Sequence, residues 1–175
     1  GVAAYRAGDY ATAVVGFREL AEEGHAYAES NLGWMYRAGE GVGQDNVAAV
    51  KWYTLAAEQG YAKAQYNLAF MYKNGEGVGQ DNVVAVKWWK LAAEQGYANA
   101  QYNLAVSYHF GDGIEQNDAE AVKWITLAAE QGIVAAQNNL ALVYYNGEGV
   151  VQDNVAAHMW ANIAAANGSL QGAGI

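Results

Sequence analysis

Residues Tyr61–Gly96 read YAKAQYNLAFMYKNGEGVGQDNVVAVKWWKLAAEQG. Ala64, Leu68, Met71 and Tyr72 stand at i, i+4, i+7 and i+8, the single apolar face of an amphipathic helix over 61–74. Gly75 follows, where a residue able to take the left-handed conformation ends a helix. Asp81 then stands where an N-cap belongs, because its side-chain oxygen can accept an otherwise orphan backbone N–H. The next run, DNVVAVKWWKLAAEQG, places Ala85, Trp89 and Ala92 on one face of a second helix. Small alanines beside a large aromatic let neighbouring helices interlock, and Gly96 closes the unit. The stretch therefore predicts two helices joined by a glycine loop.

Working outward, the same text recurs every 36 residues. Leu32, Leu68, Leu104 and Leu140 fall one period apart, as do Tyr36, Tyr72, Tyr108 and Tyr144. Trp52, Trp88, Trp124 and Trp160 form a third column, and Gln44, Gln80, Gln116 and Gln152 a fourth. The capping column is Asp45, Asp81, Asn117 and Asp153. Several columns in one phase over four periods define a helix-pair repeat, and no β-rich segment interrupts it. The expected units are 25–60, 61–96, 97–132 and 133–168. The ends differ. Tyr5-Arg-Ala-Gly8 matches Tyr36-Arg-Ala-Gly39, but Asp9 follows at once, so 1–24 reads as a short-looped first unit with Phe17 in the Tyr53/Trp89 column. After Gly168 the pattern fails, and 169–175 reads as a truncated tail that leaves Trp160 and Ile163 short of cover.

The chain has 175 residues, 53% of them hydrophobic, with 18 acids against nine Lys+Arg and a net charge of −9. That composition excludes intrinsic disorder. The absence of cysteine excludes a disulfide framework, a thiolate nucleophile and cysteine-based metal sites. The acidic balance argues against a nucleic-acid partner, which needs clustered Lys and Arg. No apolar run approaches a membrane span. No cofactor motif is present: the Gly-x-Gly pairs recur as turns, and none reads as the dinucleotide fingerprint GxGxxG.

The unit A-x-A-Q-x-N-L-A-x-x-Y-x-x-G-x-G-V-x-Q-D-x-x-x-A-x-x-W-x-x-x-A-A-E-Q-G closely resembles the Sel1-like repeat, a relative of the tetratricopeptide repeat. The match runs from about residue 9 to 168, and the short-looped unit at 1–24 looks more like a tetratricopeptide repeat. The resemblance implies an all-α, right-handed α/α superhelical solenoid of about four to five helix-pair repeats. It also implies an adaptor that holds a protein or peptide in a concave groove lined by the first helix of each pair. The opening GVAAYRAGDYATAV is similar to mature bacterial chains after a signal peptide, which points to the periplasm or secretion, with the cytoplasm as the alternative.

Carried over column by column, that groove contains an asparagine ladder: Asn31, Asn67, Asn103 and Asn139. Each amide offers a donor and an acceptor to an extended peptide backbone. The competing reading is that these amides satisfy local backbone groups. One turn away lie Trp34, Phe70, Val106 and Leu142; the next turn carries Arg37, Lys73, His109 and Tyr145; Tyr27, Lys63, Asn99 and Ala135 line the earlier part, with Ser30, Tyr66, Tyr102 and Asn138 between. The tryptophan column reads as packing. The first helices carry Arg37, Lys63 and Lys73 against Glu29 alone, so the groove is expected to be mildly basic and the opposite face acidic. A peptide carrying a carboxylate near Arg37, Lys63, Asn67 and Lys73 would suit such a groove, although so few charges also arise without purpose.

No catalytic constellation appears. There is no H-E-x-x-H, G-x-S-x-G or S-x-x-K, and His25, His109 and His158 occupy different phases of the repeat, so no metal site is expected. The chain is read as a non-enzyme. Two alternatives accompany the scaffold: self-association through the solenoid ends, and, by analogy with described Sel1-like proteins, a β-lactam-binding or hydrolysing enzyme.

Overall fold

In the computed structural model the placement of residues 1–172 is described, with side chains to Gly168; residues 173–175 of the expected tail lie outside. Two compact units divide the chain, Gly1–Gln95 and Gly96–Ile175.

The first unit contains α1 (Val2–Arg6), α2 (Tyr10–Glu22), α3 (Ala26–Ala38), α4 (Asn46–Glu58), α5 (Ala62–Asn74) and α6 (Asn82–Glu94). The second contains α7 (Ala98–Phe110), α8 (Asp118–Glu130), α9 (Val134–Asn146) and α10 (Asn154–Gly172). The described residues are all-α, in helix pairs repeating at 36 residues, as the periodicity requires. The caps form as read from the sequence. Asp45, Asp81 and Asn117 accept from Ala48 N, Val84 N and Glu120 N at 2.9, 3.0 and 3.1 Å. Asp9 caps α2 through Thr12 N at 3.1 Å. Gly75 takes φ +71° as it ends α5. The helix breaks α2/α3, α4/α5 and α8/α9 come at Gly24, Gly60 and Gly132, all with positive φ.

Gly168 stands in the same column but does not break its helix; α10 runs through it to Gly172. The expected change of pattern at Gly168 is therefore a continuation of the helix. Trp160 and Ile163 are half-buried.

Within a pair, the end of the second helix returns to the start of the first, so the two run antiparallel. Gln59 Nε2 donates to Glu29 Oε2 at 2.7 Å and Gln95 Nε2 to Gln65 Oε1 at 2.8 Å. In the second unit Gln131 donates to Gln101 at 2.7 Å and Asn167 to Gln137 at 3.1 Å. Gln65 and Gln137 in turn donate to the carbonyls of Ala57 and Ala129, at 3.1 and 2.9 Å. The Glu29, Gln65, Gln101 and Gln137 side chains are buried, so an unmade bond would leave a desolvated polar group.

Each unit has an alanine-rich core pinned by large side chains. In the first, Phe17, Leu32 and Met35 form one cluster and Tyr53, Leu68 and Met71 another. Trp52 and Trp88 pack against these clusters as partly buried side chains. In the second, Leu104, Trp124, Ile125 and Leu140 are buried. Each such side chain contributes roughly 1.5–3 kcal/mol of transfer free energy.

The second glycine of each Gly-x-Gly pair has a separate duty. Gly77, at φ +70°, lies against the Asn46–Val47 backbone at the start of α4, the second helix of the preceding pair. In the second unit Gly149 lies in the same way on Asp118 at the start of α8. A Cβ at Gly77 would overlap that backbone, so the column marks close stacking of successive pairs as well as a turn.

Candidate functional site

The first helices carry the candidate residues, which fall into two sets. Asn31, Trp34, Arg37, Lys63, Tyr66, Asn67, Phe70 and Lys73 belong to the first unit; Tyr102, Asn103, His109, Asn138, Asn139 and Tyr145 belong to the second.

The asparagine column does not behave uniformly. Asn31 Nδ2 donates to Tyr27 O one turn back at 2.6 Å, the local backbone role. Asn67 is only 7% exposed, and its Nδ2 has no partner. Asn103 is half-buried. Asn139 Nδ2 donates to the Tyr102 hydroxyl at 3.4 Å. Asn138 is exposed.

Charge is also distributed differently from expectation. Arg37 Nε donates to Glu76 Oε2 at 2.9 Å, and its guanidinium covers the Phe70 ring at 4.6 Å. Its charge is therefore met from within the chain. Glu29, expected as a groove acid, is buried and bonded to Gln59; burial raises its pKa, which the Gln59 hydrogen bond partly opposes. Lys63 is exposed and Lys73 half-buried. Trp34 is held by its Nε1, which donates to the Tyr5 hydroxyl at 3.1 Å, and that hydroxyl donates to Glu40 at 2.8 Å. Burial, and then the Glu40 carboxylate, raise the Tyr5 pKa. Around Arg37, Trp34, Asn46 and Glu76 the surface is a shallow, mainly polar depression.

The second unit holds a more enclosed, mainly apolar recess of about 200 Å³ among α7, α8 and α9. Val106, Val122, Ile125 and Leu142 make its apolar floor. His109, Asp118, Asn139 and Glu148 supply its polar groups. His109 Nδ1 lies 3.1 Å from Asp118 Oδ1, and the ring meets Phe110 edge-on at 4.7 Å. Four of the lining residues, Val106, His109, Asn139 and Leu142, are groove positions already picked out by the sequence. Asp118 and Glu148 were missed, because in the repeat they read only as helix-start and loop positions. Among the described residues no group of three or more His, Asp or Glu side chains converges as for a metal, and no helix is long and apolar enough to cross a membrane.

The Sel1 repeat model matches residues 26–61, 62–97, 98–133 and 134–169, most of the chain. The chain belongs to the Sel1 repeat family. Among solved structures, it is similar to a Sel1 repeat protein from Oxalobacter formigenes. That match has 35% identity and a TM-score of 0.91, over 96% of this chain and 69% of the other. It is also similar to c5321, a protective antigen of uropathogenic Escherichia coli strains with the same fold. Here the identity is 44% and the TM-score 0.86, over 89% of this chain. This Sel1 repeat chain spans about a third of that E. coli protein, 33% of its length. A Helicobacter pylori cysteine-rich protein B, at 20% identity and TM-score 0.58 over 73% of this chain and 92% of that one, shares the fold alone. No curated protein matches the chain.

Proposed function

We propose that this Sel1 repeat chain is a scaffold that binds a protein or peptide on the face formed by its first helices. The observation that supports the reading is that in each unit these helices leave large apolar side chains exposed to solvent. On α3, Tyr27 and Trp34 are 50% and 40% exposed, two turns apart; on α9, Leu142 and Tyr145 are 58% and 59% exposed. Aromatic side chains that bury large area at low entropy cost are the usual anchors of interfaces. The polar candidates between them, Asn31 and Lys63 in the first unit and Asn103 and Asn138 in the second, would supply orienting hydrogen bonds at such an interface.

The test is cross-linked capture from the cell extract of the source organism, with the partner identified by mass spectrometry. A Tyr27→Ser/Tyr145→Ser variant is expected to lose the partner. A Val47→Ser/Val83→Ser control, which alters exposed positions on second helices, is expected to keep it. Retention by the first variant and loss by the control would overturn the reading.

A further inference from the structure

At the recess in the second unit five lining side chains are smaller than those two periods earlier, while Ala105 and Phe110 are larger than Gly33 and Ala38. Trp34, Arg37, Tyr53, Phe70 and Met71 correspond to Val106, His109, Ile125, Leu142 and Val143. In the first unit the larger set fills the apolar floor, and what remains around Arg37 and Glu76 is an open polar depression: the Tyr53 ring lies so near Gly33 that a Cβ there would sit 2.9 Å from it, and Arg37 covers Phe70. In the second unit the smaller set leaves a cavity of about 200 Å³, above the ~150 Å³ that admits a benzene-sized group.

The missing group has a definite chemistry. Glu76 is satisfied twice, by Asn74 Nδ2 at 3.2 Å and by Arg37 Nε at 2.9 Å. Its counterpart Glu148 accepts from Asn146 Nδ2 at 2.9 Å, and among the described contacts no cation reaches it. His109, in the position of Arg37, turns instead to Asp118. The loop carboxylate thus keeps its amide donor and lacks its guanidinium. Around it, residues 96–175 carry seven carboxylates and a single lysine, Lys123, which lies 3.5 Å from Glu120.

The geometry points to an arginine-accepting pocket: an arginine side chain of a partner peptide lays its stem on Val106, Ile125 and Leu142 and its guanidinium on Glu148. A guanidinium suits this position because its planar fork matches a carboxylate and its aliphatic stem is at home on an apolar floor. The acidic surroundings add steering toward a cationic peptide. The pocket rests on the reading that the first-helix face receives a peptide, and it lies apart from Arg37, Lys63, Asn67 and Lys73, where the sequence suggested an acidic ligand.

The test is an NMR titration of the ¹⁵N-labelled full chain with Ac-Ala-Arg-Ala-NH2 and its citrulline counterpart, which has the same shape without the charge. Saturable shifts of the Asn139, Leu142 and Glu148 amides are expected with arginine, and at least ten-fold weaker binding with citrulline. His109→Arg is expected to rebuild the Arg37–Glu76 pair against Glu148, abolish peptide binding and raise Tm. Glu148→Gln is expected to weaken binding at least ten-fold while leaving the helical circular dichroism unchanged. Equal shifts from both peptides, no saturable shift at millimolar peptide, or undiminished binding by folded His109→Arg would each overturn the pocket. Neither Tyr27 nor Tyr145 lines it, so a failed pocket leaves the capture experiment above intact, and a failed capture leaves this titration readable.

Discussion

Arg37 Nε stands 2.9 Å from Glu76 Oε2, across 39 residues of sequence, with the two side chains 23% and 29% exposed. The contact ties α3 to the loop after α5 and adds a guanidinium over Phe70. Exposed ion pairs contribute little, typically below about 1 kcal/mol. This one is half-buried and shared with a ring, so it is expected at the upper end of that range. Arg37→Ala is expected to lower stability by about 1–2 kcal/mol. A double-mutant cycle with Glu76→Gln, read by urea denaturation, is expected to give a coupling of about 1 kcal/mol. A coupling of zero would reduce the pair to a surface contact.

Glu29 occupies the column filled elsewhere by Gln65, Gln101 and Gln137. It accepts from Gln59 as Gln65 accepts from Gln95, but a carboxylate cannot donate to the Ala21 carbonyl as Gln65 does to Ala57. Burial raises its pKa above 4.5, so the folded chain holds the proton more tightly than the unfolded one. The resulting stability is fully present below the unfolded pKa and lost as pH rises through the folded value. Glu29→Gln is therefore expected to gain about 1 kcal/mol over the parent at pH 7, with the difference closing as pH falls through the raised folded value toward about 4.5. Thermal melts of both chains across about pH 3.5–7 measure it.

Tyr53 is fully buried and its hydroxyl has no partner. Burial drives its pKa above the normal phenol range, opposed in part by the Arg37 charge. An unpaired buried hydroxyl is a cost, so Tyr53→Phe is expected to stabilise by about 0.5–1 kcal/mol at neutral pH. For a phenol with a raised folded pKa, stability is lost as pH rises past the unfolded value near 10. The advantage of Tyr53→Phe is thus expected to grow between about pH 9 and 11, as denaturant midpoints will show.

Gly77→Ala combines a positive φ with overlap against the Asn46 backbone, which is not a flexible side-chain end that can move aside. A loss of about 3 kcal/mol or more is expected. Gly79, two residues on, has open space where a Cβ would stand and no positive φ, and Gly79→Ala is expected to change stability by less than about 0.5 kcal/mol. Comparable melting temperatures for the two variants would remove the stacking role assigned to Gly77.

The amino-acid sequence by itself determined the helix pairs, their 36-residue period, their Asp and Asn caps, and the core positions at Leu32, Leu68, Leu104 and Leu140. Those features are decided within a turn or two of helix, by periodicity and by capping groups that meet the nearest backbone N–H. It also marked the first helices as the bearers of the candidate residues. What it left undecided was which side chains meet across 30 to 39 residues. Only the tertiary structure showed that Arg37 turns to Glu76, that Glu29 is buried beneath Gln59, and that Asn67 lies deeper than Asn31. The recess beside His109 belongs to the same class, since its lining combines changes of side-chain size from three helices. Each change alone reads as variation within its column, with nothing in the sequence to say that the positions meet. Their sum is a cavity, because packed volumes add only where the helices bring them together.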